Sequence, residues 1–183
     1  LYEDLIINLT DLDRTKRIIW FHSSSMGEFE QAKPIIEQIK RNIEVNILVT
    51  FFSPSGYEIK KNHPLGDVMT YLPLDTPRNA KKFIELTHPS LVVFIKYEFW
   101  FNYMDECKKQ NIPFYSVSSI FRKEQAFFKY KWFIKQLQNV THFFVQDKTS
   151  ADLLQSIGLT NYTISGDSRF DSVLANTRNP KSF

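Results

Sequence analysis

The residues best suited to chemistry lie in one turn, where Glu28 follows three serines and a glycine. Ser25 and Gly27 sit between an apolar run at 17–21 and a segment from Phe29 onward with apolar residues at helical spacing. The turn therefore joins a strand to a helix, whose first backbone N–H groups point into the crevice beside a sheet. The positive end of the helix dipole favours an ionised Glu28. A carboxylate held in this way could take a proton from a hydroxyl group.

A structural interpretation of the same turn is also open. Serines often cap helices, and acidic residues are common in the first helical turn. Taken alone, the turn favours this capping interpretation over a catalytic base, so other residues are needed to decide between the two.

Further charged residues follow a wholly apolar strand predicted at 91–95, where Lys96 and Glu98 stand at the strand end. Arg169 lies near the end of the chain, in the segment 166–171. A carboxylate base with nearby cations suits attack by a hydroxyl group on a substrate with an anionic leaving group. The same spacing also fits a solvated strand end followed by a helix start.

Apolar strand patterns alternate with helical patterns along the whole chain. Strands are predicted at 17–21, 46–50, 68–72, 91–95, 113–117, 142–145 and 162–164. Helices are predicted at 1–9, 29–39, 57–62, 76–87, 99–110, 124–137 and 148–157. This alternation predicts an α/β fold, a doubly wound parallel sheet of Rossmann-like type with helices on both faces. Ligands bind such sheets beyond the carboxyl ends of the strands.

Composition and motifs exclude several classes of function. A net charge of only +3 in 183 residues, without a recognisable finger or RNA-binding signature, predicts no nucleic acid partner. The single cysteine, Cys107, is expected to be a buried thiol, and the four histidines lack metal-ligand spacing, so no metal is expected. Dinucleotide, P-loop and serine-hydrolase motifs are absent, and no apolar run could span a bilayer.

The predicted helix 124–137 is rich in both basic and aromatic residues. Four of its residues can face the core: Ala126, Tyr130, Phe133 and Leu137. Four others are then left on another face: Phe128, Lys131, Trp132 and Lys135. Exposed aromatic and basic residues together suit the surface of an anionic membrane. An aromatic core with lysine stems lying over it is an equally good interpretation.

Together these segments resemble the N-terminal domain of the 3-deoxy-D-manno-octulosonic acid (Kdo) transferase family of lipopolysaccharide synthesis. The resemblance extends from Trp20 to about Phe170. The matching segments occur in the family's order, at 25–28, 50–56, 71–73 with Asp75, 98–100 with Asn102, the basic helix after Ser118, and 166–171.

The resemblance implies the acceptor-binding half of a GT-B glycosyltransferase. Its expected activity is metal-independent, cofactor-free and inverting transfer of Kdo from CMP-Kdo to the lipid A precursor lipid IVA. The expected location is the cytoplasmic face of the bacterial inner membrane, with an anionic membrane surface as a partner. A C-terminal domain that binds CMP-Kdo and an N-terminal membrane anchor are expected outside residues 1–183, so this domain alone is expected to be inactive.

The resemblance also implies roles for individual residues. Glu28 matches the general base, while Lys96 and Arg169 match positions that stabilise the transition state. Many family members have an acidic residue at the position of Lys96 and a lysine at the position of Arg169. Glu98 is therefore the more conservative match to that acidic residue. Acceptor-binding residues are expected at Ser25, Gly27, Ser53, Ser55, Gly56 and Arg122. Two alternatives stay open: a non-catalytic doubly wound module that binds an anionic ligand or partner, and half of another nucleotide-sugar enzyme.

Overall fold

The structure, a computed structural model, describes residues 2–60, 63–96 and 98–167, apart from the side chains of residues 55, 59 and 60. Its strands are β1 (Arg17–His22), β2 (Val45–Phe51), β3 (Val68–Tyr71), β4 (Leu91–Ile95), β5 (Phe114–Ser119), β6 (His142–Val145) and β7 (Tyr162–Ile164). Its helices are α1 (Tyr2–Thr10), α2 (Met26–Asn42), α3 (Pro54–Lys60), α4 (Pro77–Thr87), α5 (Phe101–Lys109), α6 (Lys131–Leu137) and α7 (Lys148–Ser156). A short 3-10 helix, Ala126–Phe128, precedes α6.

All seven predicted strands are present, and they form one parallel sheet in the order β3-β2-β1-β4-β5-β6-β7. The order reverses between β1 and β4, which pair from Ile19 with Leu91 to His22 with Phe94. A crevice opens at the carboxyl ends of two strands where the order of a doubly wound sheet reverses. The predicted doubly wound, Rossmann-like fold is therefore confirmed, and its binding crevice lies beyond β1 and β4.

Both faces of the sheet are buried, which explains why its strands are almost continuously apolar. Adjacent residues of β1 point to opposite faces, so Trp20 packs against Phe83 of α4, while Phe21 belongs to the cluster that includes Phe29 of α2. Cys107 of α5 is fully buried on the Trp20 side, and burial raises the pKa of its thiol to about 12. The expected buried, unreactive thiol is confirmed.

The single helix predicted at 124–137 is wrong. Tyr130 has an extended backbone between the 3-10 helix and α6, and its side chain is 61% exposed rather than facing the core. Phe127 and Phe128 both lie in the 3-10 helix before this break, and both rings pack inward, with ring centroids 5.0 Å from Phe99 and 5.6 Å from Phe121 respectively. Tertiary packing thus overrides the helical spacing of the segment.

The start of α5 is fixed from a distance by Asp75, in the loop after β3. The backbone N–H of Asn102 donates to Asp75 Oδ1 at 3.1 Å, and Asn102 Nδ2 donates to the backbone oxygen of Asp75 at 3.0 Å. Tyr103 adds a hydrogen bond of 2.9 Å to the backbone oxygen of Pro73. These bonds satisfy N–H groups that a helix start leaves free, and they fix the loop that carries Glu98.

Candidate active site

Glu28 lies in the first turn of α2, at the carboxyl end of β1. Ser25 holds the N-cap position with an extended backbone, but its side chain makes no capping hydrogen bond. The Glu28 side chain is itself buried, with a residue exposure of only 7%. The capping interpretation therefore does not describe this turn, because Ser25 does not cap by its hydroxyl and Glu28 is not a solvated first-turn residue.

The pKa of Glu28 is raised above its ordinary value, first because burial disfavours the charged form and second because Glu98 carries a like charge. Hydrogen bonds from the backbone N–H groups of Ser24 and Ser25, and the positive charge of Lys96, lower the pKa of Glu28 in part. The backbone N–H groups at the start of α2 thus favour ionisation of Glu28, as expected, but burial and Glu98 outweigh them. Once ionised, a carboxylate of raised pKa is a stronger base.

Lys96 occupies the end of β4 in a left-handed conformation, with φ of 63°. Its backbone oxygen accepts hydrogen bonds from Ser116 Oγ at 3.2 Å and Ser119 Oγ at 3.0 Å, and its N–H donates to Val117. Such a conformation is strained in a non-glycine residue, and strained residues cluster at functional sites. The neighbouring strand therefore holds Lys96 at the crevice, where its charge acts on Glu28.

Glu98 is fixed in the same crevice by an aromatic neighbour. Trp100 Nε1 donates to Glu98 Oε2 at 2.8 Å, and the Trp100 ring lies 5.3 Å from the His22 ring and 4.9 Å from that of Phe52. Glu98 in turn raises the pKa of Glu28 by its like charge. Three of the four predicted catalytic residues are thus brought together, whereas Arg169 lies outside the described residues.

The loop after β2 supports the Glu28 turn rather than standing apart from it. The Ser53 N–H donates to the Ser24 oxygen at 2.8 Å. A Cβ atom on Gly56 would lie 2.8 Å from Phe51 Cδ1 and 3.2 Å from the backbone nitrogen of Met26, so only glycine lets α3 approach this closely. The predicted residues Ser53 and Gly56 therefore contact the turn.

The other predicted acceptor-binding residues have different surroundings. A Cβ atom on Gly27 would meet nothing within 4 Å, so this backbone is open to an approaching ligand. Ser55 belongs to α3, but its side chain lies outside the described residues. Arg122 is exposed after β5, where its N–H binds Gln125 Oε1 at 2.9 Å. This bond joins Arg122 to the segment before α6.

The predicted membrane-surface residues are only partly confirmed as exposed. Lys131, Trp132 and Lys135 of α6 are exposed, with Trp132 at 55%. Phe128 was expected on the same face, but it is partly buried against Phe121. Phe128 lies in the 3-10 helix before α6 and not on the exposed face of α6 itself.

Sequence reasoning missed a buried polar chain behind the Glu28 turn. Trp20 Nε1 donates to Thr50 Oγ1 at 2.8 Å, and this hydroxyl lies 2.9 Å from His22 Nδ1. His22 Nε2 lies 3.3 Å from Ser24 Oγ. The ring is fully buried, and desolvation lowers the pKa of His22 from 6.5 to about 3. A neutral His22 therefore supports the segment whose N–H groups bind Glu28. Thr50 reaches His22 only because β2 lies beside β1 in the sheet.

The described parts of the chain contain neither a cluster of metal ligands nor a helix able to cross a bilayer. Within 2–60, 63–96 and 98–167, His, Cys, Asp and Glu side chains form no group of three able to hold a metal ion. Among the helices of those ranges, none combines the length and apolar character needed to cross a bilayer.

A family model described as 3-deoxy-D-manno-octulosonic-acid transferase (kdotransferase) matches residues 4–172. The chain belongs to the Kdo transferase family. The match includes every predicted catalytic residue, from Glu28 to Arg169, so the resemblance drawn from the motifs is confirmed.

Several relatives of this chain are named as Kdo transferases. The Kdo transferase of Aquifex aeolicus is 39% identical over 90 residues, which cover 49% of this chain and 25% of that protein. That of Haemophilus influenzae is 34% identical over 99 residues, which cover 52% of this chain and 23% of that protein. That of Rickettsia bellii is 27% identical over 158 residues, which cover 84% of this chain and 38% of that protein. The chain thus spans about a quarter of the length of the first two relatives.

Solved structures share the fold at low sequence identity. The UDP-N-acetylglucosamine 2-epimerase from Rickettsia bellii has a TM-score of 0.68 at 12% identity, over 91% of this chain and 49% of that chain. The UDP-GlcNAc 2-epimerase from Neisseria meningitidis bound to UDP-GlcNAc has a TM-score of 0.66 at 13% identity, over 91% of this chain and 50% of that chain. At this identity the likeness establishes only the Rossmann-like fold.

Proposed function

We propose that this Kdo transferase family chain is the acceptor-binding half of an enzyme that transfers Kdo from CMP-Kdo to the lipid A precursor lipid IVA. The observation that carries the proposal is the buried Glu28 beside Lys96 and Glu98, in the crevice where the strand order reverses. Family membership supports the assignment of Kdo as the sugar that is transferred. The crevice supports the assignment of the reaction to the carboxyl ends of β1 and β4.

The proposed reaction is an inverting displacement. A hydroxyl oxygen of the acceptor sugar attacks the anomeric carbon of Kdo, and Glu28 takes the hydroxyl proton. The bond between that carbon and the phosphate oxygen breaks, and CMP leaves with the bonding electron pair. Lys96 and Arg169 balance negative charge that develops on the donor. In the proposed step these two cationic side chains, and not a metal ion, carry the positive charge that faces the leaving group.

The buried position of Glu28 suits this role. Burial and the like charge of Glu98 raise its pKa, which makes the ionised carboxylate a stronger proton acceptor. Hydrogen bonds from the N–H groups of Ser24 and Ser25 stabilise the ionised form and offset part of this rise in pKa. The turn thus holds a base whose proton affinity is increased and whose orientation is fixed by the backbone.

The lipid acceptor places the proposed enzyme beside a membrane, at the cytoplasmic face of the inner membrane. Trp132, Lys131 and Lys135 of α6 form an exposed aromatic and basic surface that suits anionic lipid headgroups. CMP-Kdo is proposed to bind chiefly to a further domain outside residues 1–183.

The test is a transfer assay with the full-length protein that contains this chain. Labelled CMP-Kdo and detergent-dispersed lipid IVA are incubated with it in the presence of EDTA. We expect labelled Kdo to appear on the lipid, with inversion at the anomeric carbon. Release of CMP without lipid labelling, or conversion of UDP-GlcNAc instead, would overturn the proposed reaction and favour another nucleotide-sugar activity.

A further inference from the structure

Unpaired polar atoms concentrate around Glu28. Within the described part of the chain, the buried side-chain atoms without a hydrogen-bond partner are Ser23 Oγ, Glu28 Oε2 and Gln31 Oε1. Buried polar groups are nearly always paired, because an unpaired one loses its bonds to water without replacement. Ser23 directly follows β1, and the other two residues lie on α2. In the described residues, the unpaired atoms therefore lie between the end of β1 and the second turn of α2.

Gln31 follows Glu28 by three residues, so the two side chains share a face of α2 about one turn apart. Gln31 is fully buried. Its Nε2 donates to Asp167 Oδ1 at 3.4 Å, which fixes the amide and leaves Oε1 as the atom without a partner. A long polar residue at a fully buried helical position has no packing advantage over an apolar one.

The charges around these atoms restrict what they can bind. Glu28 and Glu98 are carboxylates in the crevice, and Asp167 lies against Gln31, whereas Lys96 is the cation that acts on Glu28. Glu28 Oε2 and Gln31 Oε1 are both hydrogen-bond acceptors. A phosphate oxygen is itself an acceptor and could not satisfy these two atoms. A group rich in hydroxyl donors satisfies the same atoms, and a sugar ring carries several of them.

We infer that Gln31 is a specificity-determining residue whose Oε1, covered in this structure, binds a second hydroxyl group of the acceptor sugar when the acceptor enters the crevice, next to the hydroxyl that Glu28 deprotonates. This inference rests on the proposed function, since it takes the acceptor sugar as the ligand of the crevice. Ser23 Oγ is close in sequence and completes the polar set. The unpaired state of Gln31 Oε1 lowers stability, and it is retained because the bond forms when the acceptor binds.

The experiment substitutes Gln31→Met in the full-length protein, which removes the acceptor atom and keeps an unbranched side chain of similar length. Transfer kinetics with lipid IVA, direct binding of detergent-dispersed lipid IVA and the melting temperature are measured. Loss of one uniform hydrogen bond raises KM and leaves kcat unchanged. We expect KM and Kd for lipid IVA to rise roughly fivefold to tenfold. We also expect kcat to change less than twofold and the melting temperature not to fall.

Two controls separate this inference from other roles. Gln38→Met alters an exposed glutamine of the same helix and should change neither KM nor Kd. Asp167→Ala removes the partner of Gln31 Nε2 and with it the bond that orients the amide, so Kd for lipid IVA should rise, but less than in Gln31→Met, which removes Oε1 itself. If Asp167→Ala weakens binding of lipid IVA more than Gln31→Met does, Gln31 acts through Asp167 and the substrate contact is overturned.

The outcomes distinguish this inference from the proposed function. If KM and Kd for lipid IVA are unchanged in Gln31→Met while the wild-type protein transfers Kdo, the inference is overturned and the proposed function is not. Gln31 Oε1 is then assigned to ordered solvent only. A lower melting temperature with unchanged KM assigns Gln31 to structure and overturns it equally. If the wild-type protein transfers no Kdo, the proposed function fails, and binding of lipid IVA alone then decides the role of Gln31.

Discussion

Glu28 combines burial with a role that requires its ionised form. Local sequence reasoning located this residue from the serines and glycine before it, and the family match covers the same turn. The same reasoning found the effect of the helix start, which lowers the pKa of Glu28, but not the larger opposing effects of burial and of the charge of Glu98, because these arise from tertiary packing. Distant partners therefore decide the chemistry of a residue that the local sequence singles out.

His22 gives a prediction for stability at low pH. Its pKa is about 6.5 when the chain is unfolded and about 3 when folded, because burial disfavours the imidazolium. Between these values the unfolded chain binds the extra proton, so stability from a neutral His22 is complete above pH 6.5 and decreases as pH falls toward 3. The contribution lost between pH 7 and pH 5 is about 2 kcal/mol.

Urea unfolding of the wild type and of His22→Gln at both pH values isolates this contribution from those of the carboxyl groups. The variant should be less stable at pH 7, and the difference between the two proteins should shrink by about 2 kcal/mol at pH 5. A difference that does not depend on pH would show that His22 is not held neutral by the fold.

At the scale of elements, the strands were predictable and the segment before α6 was not. Strands buried on both faces leave continuous apolar runs, such as that of β4, which can be recognised without tertiary information. The segment 124–137 has helical spacing, yet it divides at Tyr130 into α6 and a 3-10 helix whose Phe127 and Phe128 both pack inward. The hydrophobic pattern did not reveal that the core accepts two adjacent aromatic rings.

The exposed surface of α6 gives a prediction about membranes. Charge reversal of Lys131 and Lys135 to Glu should weaken binding of the purified chain to anionic vesicles by at least about tenfold, because each lysine contributes about 1 kcal/mol near such a surface. Binding should also decrease with added salt. Sedimentation with vesicles of graded anionic lipid content measures both effects.

Reversal of Lys108 and Lys109 is the matched control, since these two exposed lysines end α5 and lie outside α6. It should affect binding much less than reversal on α6. Equal loss in both variants would indicate a response to net charge, and no loss in either would assign Trp132 and its neighbours to packing alone.

At the scale of the whole molecule, the order of the sheet brings together groups that are distant in sequence. Glu28 and Glu98 follow β1 and β4, and these strands are neighbours only because the order reverses between them. The sequence predicts that both groups lie at the carboxyl edge of a parallel sheet. It does not predict bonds such as those from Thr50 to His22 or from Gln31 to Asp167, which depend on side chains meeting across elements.

The isolated chain is predicted to fold without activity. Its single sheet has a core on both faces, so a cooperative thermal transition is expected. Transfer from CMP-Kdo should be absent, because the donor is proposed to bind chiefly outside residues 1–183. Circular dichroism and the labelled transfer assay, run side by side on the same preparation, check this. Turnover by the isolated chain would contradict the proposed division between two halves.

The most direct test of the central claim is the turnover of Glu28→Gln in the full-length protein. This change keeps the shape of the side chain and removes its basicity, so kcat for Kdo transfer should fall about 100-fold or more. Circular dichroism should show an unchanged fold, and Glu30→Gln on the same helix should retain normal turnover. Transfer by Glu28→Gln at the rate of the wild type would contradict the assignment of Glu28 as the base.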